Sequence, residues 1–402
     1  MKKVCGLDVH KDSIFCAIYN GETYSEVKEY DTRMHSIHSM GEYLMSEGVS
    51  EVAMESTGIY WIPVWDMLLS MGFELSLVNP YLIKQMPGRK SDVKDAQWIA
   101  NLHHKGMIRC SYVPPPLIQE LRIYSRKYGK LRQEVTRVLT GMDSVLVMCG
   151  IRISSCMSSI SSKSFISVVD ALIHDHTDPD YLVSLVYGNT KNKQSGKLKE
   201  ALDGMPKPHH LKQLSWLMQE YDMYEQQIEE CQREMMRICD ANFSLAVQLL
   251  KTIPGISQIA AMTIIAETGG DMNVFENSSK IAGWTGLRPR NDESAGKYKS
   301  TATTKGNKYL RSILVQVSWA ASRMKTSYFK EKFNRMAIRK PRKKALICIA
   351  RKLLVVIWNV LKYSKAYNPL LVPVYDPVKM KARLDYHKKE YEKTANILNI
   401  KI

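Results

Sequence analysis

The sequence predicts an α/β domain with a mixed sheet at its N-terminal end, followed by an all-α remainder. Three observations predict this. Up to residue 112 short apolar runs alternate with helical patterns; from 117 to 145 apolar side chains step by 4 and 3; beyond 245 almost every apolar run has a helical period.

Taken in order, residues 4–9 and 13–20 read as strands, and Asn20-Gly21 is a hairpin turn signal leading to a third strand that ends near Tyr30. A polar helix over 33–47, a strand from Glu51 to Glu55, a helix over 61–71, a strand from Glu74 to Val78 and helical segments to about Lys105 follow. An antiparallel meander succeeded by alternating helix and strand predicts a mixed sheet covered by helices, over 1–112.

The region 113–242 opens with Pro114-Pro115-Pro116, after which Leu117, Leu121, Tyr124, Tyr128, Leu131, Val135, Val138, Met142 and Val145 form a heptad seam. Leu214, Leu217, Tyr221, Tyr224, Ile228, Cys231, Met235 and Ile238 form a second. Two long coiled-coil-type helices are expected, paired with each other or across a dimer. Between them, 151–208 is Ser-rich and then polar with Gly and Pro punctuation, which predicts an insertion or irregular subdomain rather than a core. Residues 243–366 read as a helical C-terminal domain and 367–402 as a charged, basic tail, a helix plus a mobile end.

Composition narrows the function classes. The 402 residues include 57 Lys and Arg against 40 Asp and Glu, a net charge of +17, with 45% hydrophobic and 24% charged residues. That excludes a disordered or collagen-like chain and points to a polyanionic partner, nucleic acid above all. No apolar run reaches the roughly 18 residues of a spanning helix; the best, 345–358, is broken by Arg351 and Lys352. With no signal-peptide core after Met1-Lys2-Lys3, a soluble cytoplasmic protein without a membrane partner is expected. The eight cysteines form no Cys-x-x-Cys pair, so neither a zinc knuckle nor a disulfide framework is supported.

Four acids could carry chemistry. Asp8 stands in an apolar strand, Glu55 ends another, and Asp92 and Asp95 are spaced i, i+3 on one helix face. Hard carboxylate oxygens are what Mg2+ or Mn2+ needs, and two such ions about 3.5–4 Å apart stabilise an in-line phosphoryl transfer. One by one, the same acids also read as a strand end and as first-turn helix residues favoured by the dipole.

Gly6-Leu7-Asp8-Val9-His10-Lys11, Glu55-Ser56-Thr57-Gly58 and Ser91-Asp92-Val93-Lys94-Asp95-Ala96 resemble the Asp-Glu-Asp-Asp signature of the RuvC-like domain in one group of bacterial insertion-sequence transposases. That group is related to the Piv-type DNA invertases, and its members characterised as recombinases are guided by a bridge RNA. The resemblance implies an RNase H-like fold in which the four acids hold the divalent metal.

The second half resembles the same family. Ile253-Pro254-Gly255-Ile256 is similar to a helix-hairpin-helix turn, whose exposed backbone N–H groups at Gly255 and Ile256 would bind phosphate. Gly286-Leu287-Arg288-Pro289-Arg290, Glu293-Ser294-Ala295-Gly296-Lys297 and Lys305-Gly306-Asn307-Lys308-Tyr309-Leu310-Arg311 resemble the family's C-terminal transposase domain. Its serine nucleophile would correspond to Ser294, in Ser-Ala-Gly where relatives often have Ser-Gly-Gly or Ser-Gly-Ser. A hydroxyl among small residues, flanked by Arg288, Arg290, Lys297 and Lys299, suits phosphoryl transfer through a covalent serine–DNA link. Lys305, Asn307, Arg311 and, in a basic run without acids, Arg342 and Lys343 are candidate nucleic-acid contacts.

The resemblance further implies double-stranded donor and target DNA as partners, a structured guide RNA, and a homo-oligomer, dimer or tetramer, with a composite site. The rival expectations are a metal-dependent structure-specific nuclease in which Ser294 is structural, and a non-enzymatic DNA-binding protein derived from a transposase.

Overall fold

The structure, a computed structural model, describes residues 2–56, 58–78, 92–108, 110–289, 292–294, 297–300, 302–325, 327–369 and 377–398. The chain divides into two compact units, Met1–Pro114 and Pro115–Ile402.

The first unit holds strands β1 (Val4–Val9), β2 (Ser13–Tyr19), β3 (Lys28–Asp31), β4 (Glu51–Ser56) and β5 (Glu74–Leu77), with helices α1 (Met34–Ser46), α2 (Trp61–Ser70) and α3 (Asp92–His104). Sheet order is β3-β2-β1-β4-β5. The β1–β2 and β2–β3 pairs are antiparallel, β1–β4 and β4–β5 parallel. A meander extended by parallel strands on the far side of β1 is the RNase H-like arrangement.

Every residue of β1 is buried because both faces of the sheet are covered. On one face Cys5, Leu7, Val9, Val52 and Met54 pack with Ile37, Met40 and Leu44 of α1 and Val64 and Leu68 of α2. On the other, Val4 packs with Ala100, and Ala53 with Ile99, both of α3. Gly6 lies under α3, and a Cβ there would collide with Ala96 O and come within 2.5 Å of Ala100 N. Glycine lets the helix backbone lie directly on the strand.

The second unit is built on α4 (Pro116–Met148) and α8 (Pro208–Asn242). They run antiparallel against each other: Arg132 Nη1 lies 3.1 Å from Glu225 Oε1, and Arg237 Nη2 3.0 Å from Glu120 Oε1. The two heptad seams therefore meet within one chain. Leu131, Val135, Val138, Met142 and Val145 on α4, and Leu214, Ile228, Cys231, Met235 and Ile238 on α8, are all buried.

One expectation is overturned. The segment 151–208 is not an irregular insertion lacking a core, for α5 (Lys163–Ile173), α6 (Pro179–Ser184) and α7 (Asn189–Leu202) fold onto the helix pair. Phe165, Val168, Val169, Leu172, Leu182, Val186, Leu198 and Leu202 form one apolar cluster with Leu139, Met142 and Leu146. Serine-rich composition masked an i, i+3, i+4, i+7 apolar stripe over 165–172, and burying that stripe drives the fold.

Beyond α8 come α9 (Ser244–Lys251), α10 (Gln258–Thr268), α11 (Ser278–Trp284), the hairpin strands β6 (Asp292–Ser294) and β7 (Lys297–Ser300), α12 (Lys308–Arg323), α13 (Tyr328–Ala337) and α14 (Arg342–Tyr363). The helices α9 to α14 share a core formed by Ile264, Ile265, Leu310, Leu314, Phe329, Leu353 and Ile357, among others. Part of the predicted tail is helix α15 (Pro377–Ile397). Among the described residues no helix is long and apolar enough to cross a membrane.

Candidate functional site

In the first unit, parallel pairing sets Asp8 opposite Glu55. Neighbours in register share a pleat, so both carboxylates stand on the face that carries Gly6 and Ala53, the face under α3. Asp8 is 7% exposed and Glu55 half-buried.

The direction of α3 then decides where its acids fall. Its last turn lies at the start of β1: His103 Nε2 is 3.4 Å from Glu51 Oε2, Glu51 is paired with Val4, and the His104 ring meets Tyr19, paired with Val4 from the other side, at 5.4 Å. Ala96 and Ala100 cross at Gly6. The first turn, with Asp92 as its first residue and Asp95 half-buried, is therefore at the strand end that carries Asp8 and Glu55. The Asp92 side chain lies outside what the structure describes. Carboxylate oxygens are hard donors of the kind a divalent cation takes, but among the described residues no three His, Cys, Asp or Glu side chains stand close enough together to hold one.

His10 escaped the sequence reading. Its Nε2 stands 3.2 Å from Asp8 Oδ2. The signal was available, since residues i and i+2 of a strand project to one side.

The second unit carries Ser294 as the last residue of β6, in register with Lys297 of β7. The stretch is a two-stranded hairpin between helices. The side chains of Ser294, Lys297 and Lys299 lie outside what the structure describes, as does Arg290 altogether. At the stem, Pro289 bridges Thr303, and Thr304 N donates to Arg288 O at 3.0 Å. The Arg288 and Lys305 side chains are exposed beside it. Below the bridge the two chain segments cross at Gly286 and Gly306, where a Cβ on either would strike the other's backbone.

Two expected phosphate contacts are engaged inside the fold. Asn307 caps α12, its Oδ1 accepting from Tyr309 N and Leu310 N at 3.0 Å each, while Nδ2 donates to Glu267 Oε2 at 2.6 Å. Arg311 Nη1 donates to Gly286 O at 3.2 Å. The turn between α9 and α10 is likewise inward. Ile256 is buried with its N–H given to Ile253 O, and a Cβ on Gly255 would sit 2.7 Å from Ala321 N of α12. The Ile256 N–H is thus not an exposed phosphate donor, and the glycine is there because a helix lies against it. Arg342 and Lys343 are exposed in the first turn of α14, next to exposed Arg335, Arg339 and Lys340.

Glu267 is the other residue that the sequence reading passed over. It is fully buried at the end of α10 and accepts from Arg126 Nε at 2.8 Å and Arg126 Nη2 at 2.9 Å. That paired hydrogen bond raises the Arg126 pKa, burial working against it. The Arg126 guanidinium also lies 4.3 Å from the Tyr309 ring centroid. A lone acid closing the apolar run Ile259–Ala266 was the signal.

Two family models match the chain. The transposase model with the Asp-Glu-Asp-Asp domain covers residues 5–150, and the model for the IS116/IS110/IS902 transposase family covers 247–334. A Sinorhizobium fredii protein named as a candidate transposase, y4pF/y4sB, is 28% identical over 159 residues, 37% of this chain and 39% of that protein. The pilin gene-inverting proteins of Moraxella lacunata and Moraxella bovis are each 28% identical over 133 residues, 32% of this chain and 41% of each relative. The matches thus span about two fifths of these relatives' length. Among solved structures, Thermus thermophilus RuvC in complex with a Holliday junction substrate aligns over 28% of this chain and all of its own, at 14% identity and a TM-score of 0.23.

Proposed function

The chain belongs to the IS116/IS110/IS902 transposase family, and from this premise we propose that it is a DNA recombinase that cuts and rejoins strands through Ser294. The observation that carries the proposal is the in-register pairing of Asp8 with Glu55 on the sheet face that α3 covers. Bound there, Mg2+ or Mn2+ would supply positive charge to the transferring phosphate, held by Asp8, Glu55, Asp92 and Asp95.

The serine chemistry balances without ATP. Ser294 Oγ attacks a DNA phosphorus and its proton passes to a base; the P–O bond to one deoxyribose breaks, and that sugar leaves as a free hydroxyl. A hydroxyl from the other DNA partner then attacks the phosphoserine, restores a phosphodiester and returns the proton to Ser294. Arg288, Arg290, Lys297, Lys299 and Lys305 would stabilise the charge and hold the backbone, with Arg342 and Lys343 extending the contact.

Pairing with a bridge RNA would select the DNA, so the protein reads RNA shape and backbone rather than bases. The working unit would be a dimer or tetramer in the cytoplasm, one protomer's acids meeting another's serine. Recombination-junction PCR, from cells carrying the gene in its native flanking DNA, tests the reading. Wild type is expected to give junctions, and Ser294→Ala and Asp8→Asn none. Junctions from Ser294→Ala would replace the covalent serine by a metal-only reaction, and strand cleavage without rejoining would identify a nuclease.

A further inference from the structure

Three segments distant in the sequence meet at the buried Glu267 carboxylate. Arg126 comes from the long helix α4, Glu267 from the end of α10, and Asn307 from the junction where the β6–β7 stem becomes α12. Arg122, one turn before Arg126, lies with its Nε 3.9 Å from Glu267 Oε2 and donates to the backbone of Ala266 (2.8 Å) and Glu267, so it also holds the α10 end. The Asn307 arm leads to the hairpin. The Asn307 N–H donates to Trp284 O at 3.0 Å, Gly306 crosses Gly286 next to it, and Thr304 pairs with Arg288 at the stem.

The carboxylate also settles which way Asn307 faces. Only the amide N–H₂ can face Glu267, which turns Oδ1 toward Tyr309 N and Leu310 N and starts α12 there. Reversed, the amide would set oxygen against carboxylate and lose the cap.

A buried ion pair is a weak source of stability, since well-packed apolar residues of similar volume often do as well or better. What an apolar pair cannot do is fix the direction of a neighbouring amide. We propose that Glu267, held by Arg126, is a positioning residue that acts through Asn307 to fix the stem of the hairpin bearing Ser294 against α4. The proposal rests on the reading of Ser294 as the nucleophile.

Two variants of the full chain test it. Asn307→Ser keeps a good N-cap for α12 and removes only the link to Glu267. The double variant Arg126→Met/Glu267→Met replaces the Arg126–Glu267 ion pair by apolar volume and leaves Arg122 its backbone acceptors at Ala266 and Glu267, so a merely structural role would be made good while a positioning role would not. Thermal unfolding identifies the folded variants, amide hydrogen exchange reads residues 292–294 and 297–300 against α4 and α8, and junction PCR reads recombination.

The expected result is a Tm near wild type, at least about tenfold faster exchange in the hairpin alone, and a junction yield lower by at least about tenfold. Hairpin exchange or junction yield within about twofold of wild type, in a folded variant, overturns the proposal. Should Ser294→Ala still give junctions, the nucleophile reading has failed, and the exchange result alone decides whether Glu267 fixes the stem.

Discussion

Asp8 and Glu55 belong to a five-stranded sheet covered on both faces, whereas Ser294 ends a three-residue strand in a two-stranded sheet. The acids are located by strand register and by one helix crossing at Gly6, all within the first unit. The serine is located by a stem: a glycine crossing, a short bridge, and a capping asparagine tied to a buried carboxylate. Strand register cannot drift without exposing a whole face, so the acids need no dedicated support. A short hairpin lacks that safeguard and depends on contacts made at its base.

The first way to break this comparison removes the proposed chemistry from each region in turn. Asp8→Asn and Ser294→Ala are each expected to lower junction yield by at least about a thousandfold, the loss of several kcal/mol of transition-state stabilisation. Neither change is expected to alter the unfolding transition. If the site is composite, co-expressing the two variants restores part of the yield, because some protomer pairs keep an intact acid set and an intact serine. No restoration, with both chains present in one oligomer, would argue that acids and serine act within a single protomer.

Next in size are the two glycine crossings. Gly6→Ala sets a methyl group into the backbone of α3, and is expected to destabilise the first unit by about 3 kcal/mol, measured by denaturant unfolding. Gly306→Ala meets the backbone of Trp284 and Gly286, but at the foot of a short hairpin that can shift. About 1–2 kcal/mol is expected there, with a larger effect on recombination than on unfolding. Equal losses of stability at both positions would erase the distinction between a site set by register and a site set by a stem.

The same physics explains what the sequence disclosed. Strand alternation, the Asn20-Gly21 turn and the two heptad seams depend on near neighbours, and the structure has the expected elements at those places. Asp8, Glu55, Asp92 and Asp95 were singled out as candidates because charged residues in an apolar strand and a first helical turn stand out locally. The hairpin was not, because Asp292–Ser294 and Lys297–Ser300 are short and polar, with no alternating apolar face. Asn307 looked like a phosphate ligand because sequence cannot show that its amide faces Glu267, forty residues away. The 165–172 stripe had the right period, and only its serine-rich setting hid it.

Charge at the periphery should matter less than either crossing. Arg342 and Lys343 are exposed, and each phosphate contact contributes about 0.9 to the slope of log affinity against log salt on duplex DNA. Arg342→Gln/Lys343→Gln is therefore expected to reduce that slope by about 1.8 in a salt titration, lowering affinity alike for unrelated sequences. An unchanged slope would remove α14 from the nucleic-acid surface and leave the hairpin cations to carry it.

The smallest effect expected is a pH dependence confined to the first unit. Burial lowers the His103 pKa, and the nearby Glu51 carboxylate offsets this only in part. Its folded-state pKa therefore lies below the ordinary 6.5 of the unfolded chain, and the unfolded state takes up more protons on acidification. Stability from this group is complete above about pH 6.5 and declines as the pH falls below it. Comparing Tm at pH 7.5 and 5.5 for wild type and His103→Gln isolates that share, since the variant should lose less on acidification. A variant as acid-sensitive as wild type would mean that His103 keeps its proton balance on folding, and that the end of α3 away from the acids is more open to water than its packing on Glu51 implies.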